Sequence, residues 1–542
     1  MNFKPPKFAN PQNELLTRSA ISKLKRLLDE GLHSQAETVG LEALQRAPLN
    51  AALHYFLAVN RMSMNQVIPA LMMAEKAYQL EPQNFKYKLF AAQMFYEAKI
   101  FEMAITLLNQ LLKTHPGVYV VHWSMAQLQV KIARGSQALP HFDQALLLCT
   151  DATRRKAILL ERAICHLQQG DTARARKELK QLENDPEVGR QAFSVMLPIS
   201  GKVDVAEMML KVQAILSEQN LSPVDRSSYV LAMGKLHEIE GRHDEAFSHW
   251  DESRRIAQQI LGNAGKKEPS IAVKAKTYSA EAYAATLAHG HVSERPIFIG
   301  GMARSGTTLV EQILAAHSAV SSVGELSRMN FLDEGFIREY PDHGDRDRLI
   351  VNAKNGELKA RADETLKMLE LISGKACARV VEKTPDNWLA FGYIHMVLPK
   401  AKLIHCERNP ADTFISAFQN LEGHQHSHAY NQEDYAAYYL LKQSYMDYWK
   451  KQFPESIFEI KYEQLVREPE AVVRALISFV GLPWEESCLR FFENKSTVLT
   501  YSHAQVRQPI YHSSIGRYKD FEHHLGPLFE ALKAANFEYP EA

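Results

Sequence analysis

The sequence predicts a multidomain chain, an all-α array of helical repeats followed by an α/β domain on a parallel sheet. Three observations point there. Pro48, Pro82 and Pro116 recur at a 34-residue step through the first part of the chain. The local pattern then changes after Ile260, where Gly262-Asn263-Ala264-Gly265-Lys266-Lys267-Glu268-Pro269 reads as a breaker segment. Beyond it, short apolar runs alternate with helical stretches, beginning with Pro296-Ile297-Phe298-Ile299. The expected division is 1–261 for the repeats, 262–292 for a linker and 293–542 for the α/β domain.

The repeats rest on period and on helix patterning. Between the prolines, Leu53, Phe56 and Leu57, then Ala70, Met73, Ala74, Ala77 and Leu80, fall at three- and four-residue steps. Small residues at Ala70, Ala74 and Ala77 let paired helices approach closely, and each proline stops the second helix of a pair. A 34-residue helix–turn–helix unit resembles the tetratricopeptide repeat. Pro186 and Pro223 continue the beat with insertions, and Gly241-Arg242-His243-Asp244-Glu245-Ala246 resembles an inter-helix turn. The pattern supports about six or seven units. The resemblance implies a concave surface that holds a polypeptide; the alternative is a brace for the second domain.

Composition excludes several classes. The 542 residues are 46% apolar and 23% charged, the mix of a globular protein. Lys+Arg and Asp+Glu both number 63, so broad binding to nucleic acid or an anionic membrane is not expected. No apolar run is long enough to span a bilayer, and the first residues lack a secretory pattern. Cys149, Cys165, Cys377, Cys406 and Cys488 are scattered beside apolar residues and read as reduced core thiols, so a cytoplasmic location is expected.

The chemistry centres on Gly300-Gly301-Met302-Ala303-Arg304-Ser305-Gly306-Thr307-Thr308. A strand precedes this loop, and an amphipathic helix with Leu309, Val310, Ile313 and Leu314 on one face follows it. That order gathers backbone N–H groups around an anion at a helix N-terminus. Gly301-x4-Gly306 has the P-loop spacing, but Thr307 stands where a nucleotide triphosphatase needs lysine. A carboxylate to hold Mg²⁺ is not evident either. Arg304 brings positive charge into the loop without a metal.

With these residues in place, 293–520 resembles the sulfotransferases, and most nearly those that sulfate protein tyrosine and the bacterial proteins that join tetratricopeptide repeats to such a domain. The resemblance implies a P-loop-like domain that uses 3′-phosphoadenosine 5′-phosphosulfate (PAPS). Arg304, Ser305, Gly306, Thr307 and Thr308 correspond to the loop that holds the 5′-phosphosulfate. Arg408, in Glu407-Arg408-Asn409-Pro410, and Ser416 correspond to the pair on the 3′-phosphate. Glu325, in Val323-Gly324-Glu325-Leu326, matches the catalytic base, a role the chemistry requires for a hydroxyl nucleophile. Lys383, in Val380-Val381-Glu382-Lys383-Thr384, matches a lysine that neutralises charge on the leaving phosphate. Tyr462 corresponds to the adenine end and Ser502 to the 3′-phosphate. Arg517, in Gly516-Arg517-Tyr518-Lys519, corresponds to a terminal basic loop. Two departures stand out: Tyr518 replaces a common tryptophan, and Asn420 stands where some relatives have a second arginine, so phosphate binding is expected to lean on Arg517.

The implied acceptor carries a hydroxyl, and a polypeptide, with protein tyrosine among its hydroxyls, competes with saccharides and small metabolites. Two rival functions are a P-loop kinase and a non-catalytic repeat scaffold with a vestigial second domain. His424, His426 and His428 alternate, but without nearby cysteines or paired acids they read as a polar loop rather than a metal site. Tyr435, Tyr438, Tyr439, Tyr445 and Tyr448 have the spacing of a packed helix face. No metal is expected in the reaction, and oligomeric state is not readable.

Overall fold

The computed structural model describes residues 11–185, 187–196, 205–261, 270–340, 346–374, 377–420, 424–494 and 505–537. Two compact units make up the chain: 1–129 with 140–150, and 130–139 with 151–542. The breaker segment 262–269, Pro186 and Ser502 lie outside the described residues.

The first unit is built from helix pairs. Helices Pro11–Asp29 and His33–Arg46 are followed by Ala51–Ser63 with Val67–Leu80, then Phe85–Glu97 with Phe101–Thr114. Pro48, Pro82 and Pro116 each stand two residues beyond a helix end, as the stop reading requires. Asn50 and Asn84 cap the helices that follow, accepting from the Leu53 N–H at 3.1 Å and from the Lys86 N–H at 3.1 Å. Ala70, Ala74 and Ala77 are buried on their helix.

A second 34-residue beat appears in the turns inside each pair. Gly31, Asn65, Lys99 and Ala133 all have φ between 56° and 71°. Only the first is glycine, so Lys99 and Ala133 each carry a left-handed backbone at a cost of roughly 1–2 kcal/mol.

In the second unit, helices Ala152–Gln168, Thr172–Leu182, Gly189–Met196, Val205–Leu216, Pro223–Ile239 and His243–Leu261 precede the sheet. Two short helices, Ile271–Thr277 and Ala280–Thr286, lead into it. The five strands are β1 (Pro296–Gly301), β2 (Val320–Ser322), β3 (Arg379–Lys383), β4 (Lys402–Glu407) and β5 (Ile457–Lys461). All pairings are parallel, in the order β2-β3-β1-β4-β5.

Helices cover both faces, which is why the strands read as continuous apolar runs. On one face Ile297, Ile299, Val381 and Ile404 pack against Val310, Ile313 and Leu314 and against Val473, Leu476 and Ile477. The other cluster joins Phe414, Phe418, Tyr435, Tyr439, Phe521 and Leu528 to Leu231, Ala246, Phe247 and Trp250 of the last two repeat helices. Tyr435, Tyr439 and Tyr445 are buried on the helix Gln432–Gln452, as packing predicts. Tyr438 instead donates to Asp386 at 3.0 Å, and Tyr448 to the Tyr278 carbonyl at 2.9 Å.

Among the described residues no helix is long and apolar enough to cross a membrane. The five cysteines, all among the described residues, form no disulfide; four are buried, and Cys377 is half-buried beside Arg295 at 3.8 Å.

Candidate active site

The strand order reverses between β1 and β4. The chain leaves β1 toward β2 on one side, and the connection from β3 crosses to β4 on the other. In an open parallel sheet that reversal opens a crevice at the carboxyl ends of the strands. Each of the five strands delivers one expected residue at that end. Arg304 follows β1, Glu325 follows β2, Lys383 closes β3, Arg408 follows β4 and Tyr462 follows β5.

The loop after β1 turns tightly, with the Ser305 N–H on the Met302 carbonyl at 3.0 Å. Arg304 and Gly306 both have positive φ, 74° and 96°. Gly306 is required twice over, since a Cβ there would also lie 2.7 Å from the Tyr462 ring. A non-glycine residue held left-handed, as Arg304 is, signals a backbone conformation retained for its position. Thr307 and Thr308 form the buried first turn of the helix Thr307–Ala315.

Two guanidinium groups meet beside this loop. Arg304 donates from Nε to Ser416 Oγ and from Nη2 to Gln505 Oε1, both at 2.9 Å. Arg408 donates to the Arg304 carbonyl at 2.9 Å and to the Ser514 carbonyl at 2.6 Å. Its guanidinium also lies 4.5 Å from the Tyr462 ring centroid, a cation–π contact. Burial, and then the neighbouring Arg408, push the Arg304 guanidinium down to about 10. Ser416 is the seventh residue of the helix Pro410–Phe418, almost two turns in rather than one.

One pocket is lined by Arg304, Gly306, Thr307, Thr308, Arg408, Ser416, Tyr462 and Arg517 together. Ser305 is buried, and its hydroxyl has no hydrogen-bond partner. Arg517 is already engaged, paired with Glu238 of the helix Pro223–Ile239 and donating to Gln419 at 3.1 Å. Asn420 turns back to the Ser416 carbonyl at 2.9 Å. Tyr518 is buried in the core cluster rather than offered as a stacking surface.

Glu325 and Lys383 form their own centre. Lys383 Nζ pairs with Glu325 and lies 3.6 Å from Glu311. Burial alone would lower the Lys383 ammonium, but Glu325 and Glu311 outweigh it and the pKa is raised. Burial raises Glu311, with Lys383 and the Ser322 hydroxyl (2.6 Å) opposing the shift. The turn that carries Glu325 is tied to β3. Lys383 N–H donates to the Gly324 carbonyl at 3.0 Å, and the Leu326 N–H donates to buried Glu382 at 3.0 Å. Glu382 also accepts from Thr384 and Asn387, each at 2.6 Å.

Four acidic residues here were not anticipated: Glu311, Glu382, Asp412 and Glu238. Asp412 shapes the Arg517 turn by accepting from the Gly516 N–H at 2.7 Å and the Tyr518 N–H at 2.8 Å. Asp412 had a usable signal, since an acid two residues after Asn-Pro at a helix start is placed to take backbone N–H groups. Glu238 had none, because its partner lies 279 residues away.

Residues 296–486 match the model of the sulfotransferase family. An uncharacterised protein of Aquifex aeolicus is 29% identical over 335 residues, 60% of this chain and 44% of that one. Protein-tyrosine sulfotransferase A of Caenorhabditis elegans is 27% identical over 205 residues, 36% of this chain and 51% of that one. The chain thus spans about half the length of the curated relatives it matches. Among solved structures, the sulfotransferase domain of the Synechococcus olefin synthase aligns with a TM-score of 0.34 and 18% identity, over 46% of this chain and 98% of that one. From β1 to the end of the matched segment, residues 296–486, this chain carries a domain of the sulfotransferase family.

Proposed function

We propose that the protein transfers a sulfuryl group from PAPS to a hydroxyl acceptor. The observation that carries this reading is the meeting of Arg304 and Arg408 beside a lysine-free phosphate loop, with the Glu325–Lys383 pair at adjacent strand ends.

The donor set fits a bisphosphorylated nucleotide. Two neighbouring like charges, Arg408 buried and Arg304 half-buried, are relieved by an anion between them, and Arg408 Nε has no hydrogen-bond partner. When bound, PAPS supplies an activated sulfuryl group on a phosphate leaving group. Arg304, Ser305, Gly306, Thr307 and Thr308 would hold the 5′ end through loop N–H groups and hydroxyls. Arg408 and Ser416, with Arg517 and Ser502, would hold the 3′-phosphate, and Tyr462 the adenine end. Glu325 takes the proton from the acceptor hydroxyl, while Arg304 and Lys383 offset negative charge as it moves toward the leaving oxygen. Positioning and electrostatics supply most of the rate, by analogy with phosphoryl transfer, and no catalytic metal is invoked.

Similarity to a protein-tyrosine sulfotransferase makes a tyrosine hydroxyl on a polypeptide the first acceptor to test. The repeats of 1–261 would hold that polypeptide in their groove, with 293–542 as the catalytic domain beyond a 262–292 linker.

Calorimetric titration with adenosine 3′,5′-bisphosphate tests the reading, with ADP and Mg·ATP as controls. Binding of the bisphosphate is expected, weakened at least tenfold by Arg408→Ala, since a charge-assisted contact is worth about 1.5–3 kcal/mol. Preference for Mg·ATP would make the protein a kinase, and binding of no nucleotide would favour a scaffold.

A further inference from the structure

We propose that Asp244, His523 and His524 form a binding site for a divalent transition metal of the zinc class. The site is separate in chemistry from the sulfuryl-transfer reading and does not depend on it.

Its ligands come from two distant stretches of chain. Asp244 is the second residue of the helix His243–Leu261, and the two histidines end the short 3₁₀ helix Arg517–His524. Both Nε2 atoms reach the same carboxylate oxygen of Asp244, His523 at 2.6 Å and His524 at 2.9 Å. The three ligand atoms lie within 4.8 Å of one another. Ligands around a tetrahedral zinc stand about 3.3 Å apart, given bond lengths near 2.0–2.1 Å. Outward shifts of a few tenths of an ångström would therefore admit the ion between them.

The donor set selects the metal. Two imidazole nitrogens and one carboxylate oxygen suit zinc, cobalt or nickel, whereas magnesium and calcium take oxygen-rich sets. Part of the site is already ordered by packing. The His524 ring stacks flat on Phe247, with centroids 4.4 Å apart and an interplanar angle of 1°. Phe247 is itself anchored in the core cluster. Fixing one ligand ring this way lowers the ordering cost of binding.

The exposed side chains of Asp244 and His523 leave room for water to complete the coordination. A bound ion would tie the last repeat helix to the helix that begins with Arg517. Metal binding here is therefore a structural clasp on the segment that carries a pocket residue.

The test uses the full chain, untagged and stripped of metal by chelation, titrated with zinc chloride by calorimetry. One zinc per chain with low-micromolar affinity is expected. Asp244→Ala and His523→Ala, both at exposed positions, should each weaken it at least tenfold. His426→Ala, in the other histidine-rich segment, should leave it unchanged. Saturating zinc should raise the thermal midpoint of the unsubstituted protein by about 2–4 °C and that of the two site variants not at all. Cobalt should give the visible absorption of a nitrogen-ligated site. No zinc uptake, or uptake untouched by Asp244→Ala and His523→Ala, would overturn the proposal.

Discussion

Lys383 sits between two carboxylates, and their exposures separate their roles. Glu311 and Lys383 are almost fully buried, whereas the side chain of Glu325 keeps 31% of its surface. Glu325 is thus the member of the trio that an incoming hydroxyl can meet, with Glu311 keeping the buried ammonium charged behind it. Glu325→Gln preserves size and removes the proposed base. Turnover is expected to fall at least about 100-fold, while the bisphosphate dissociation constant stays within about threefold. Parallel loss of both quantities in steady-state kinetics and calorimetry would move Glu325 from base to structural contact. At this scale the sequence is legible where neighbours in the chain stay neighbours in space, as with Arg304, Gly306, Thr307 and Thr308, which line one pocket with Arg408. It was silent about Glu311, which looks like an ordinary helix-surface acid. Only its helix, buried between strands and loops, makes that acid a partner of Lys383.

Elements show why local pattern succeeds in some places and stops in others. The repeat helices announce themselves by period, and their ends fall where the prolines require. The matching beat of left-handed residues was hidden, because Lys99 and Ala133 do not look like turn formers. Tertiary packing of each helix pair imposes that conformation against residue preference. A different helix carries a pH consequence. Phe391–Val397 is buried at every position, and within it His395 stacks on Phe453 at 4.1 Å. Burial pushes His395 down to about 4, below its unfolded value of 6.5. The depressed pKa means that the unfolded chain takes up the proton first as pH falls. This contribution is complete above pH 6.5 and is lost progressively between 6.5 and about 4. By pH 5 the loss is about 2 kcal/mol at 1.36 kcal/mol per unit. His395→Gln should flatten the pH dependence between 7 and 5 by that order in urea titrations. Equal slopes for the two proteins would show that His395 is not held neutral.

At the scale of the molecule, the change of composition at 262 and the change of packing do not coincide. The sequence shows where helical repeats give way to alternating strands, but compactness depends on contacts between residues far apart in the chain. Trp250 and Phe247 are buried in the same cluster as Phe418 and Phe521, and Arg254 Nε donates to the Phe418 carbonyl at 2.6 Å. Burying each of those two aromatic side chains is worth about 1.5–3 kcal/mol. A domain with ordinary stability of about 5–15 kcal/mol does not absorb the loss of both together with their neighbours. A chain beginning at Gly262 should therefore aggregate or lack near-ultraviolet circular dichroism. A chain beginning at Val118 keeps the helices Tyr119–Lys131 and Gly135–Leu148 whole, along with every residue of the second unit. It should stay soluble, retain that dichroism and bind adenosine 3′,5′-bisphosphate within about threefold of the full chain. A folded, nucleotide-binding product from the Gly262 start would mean that the last repeat helices only rest on the α/β domain. Failure of the Val118 start would mean that residues before Val118 are needed for the second unit to fold.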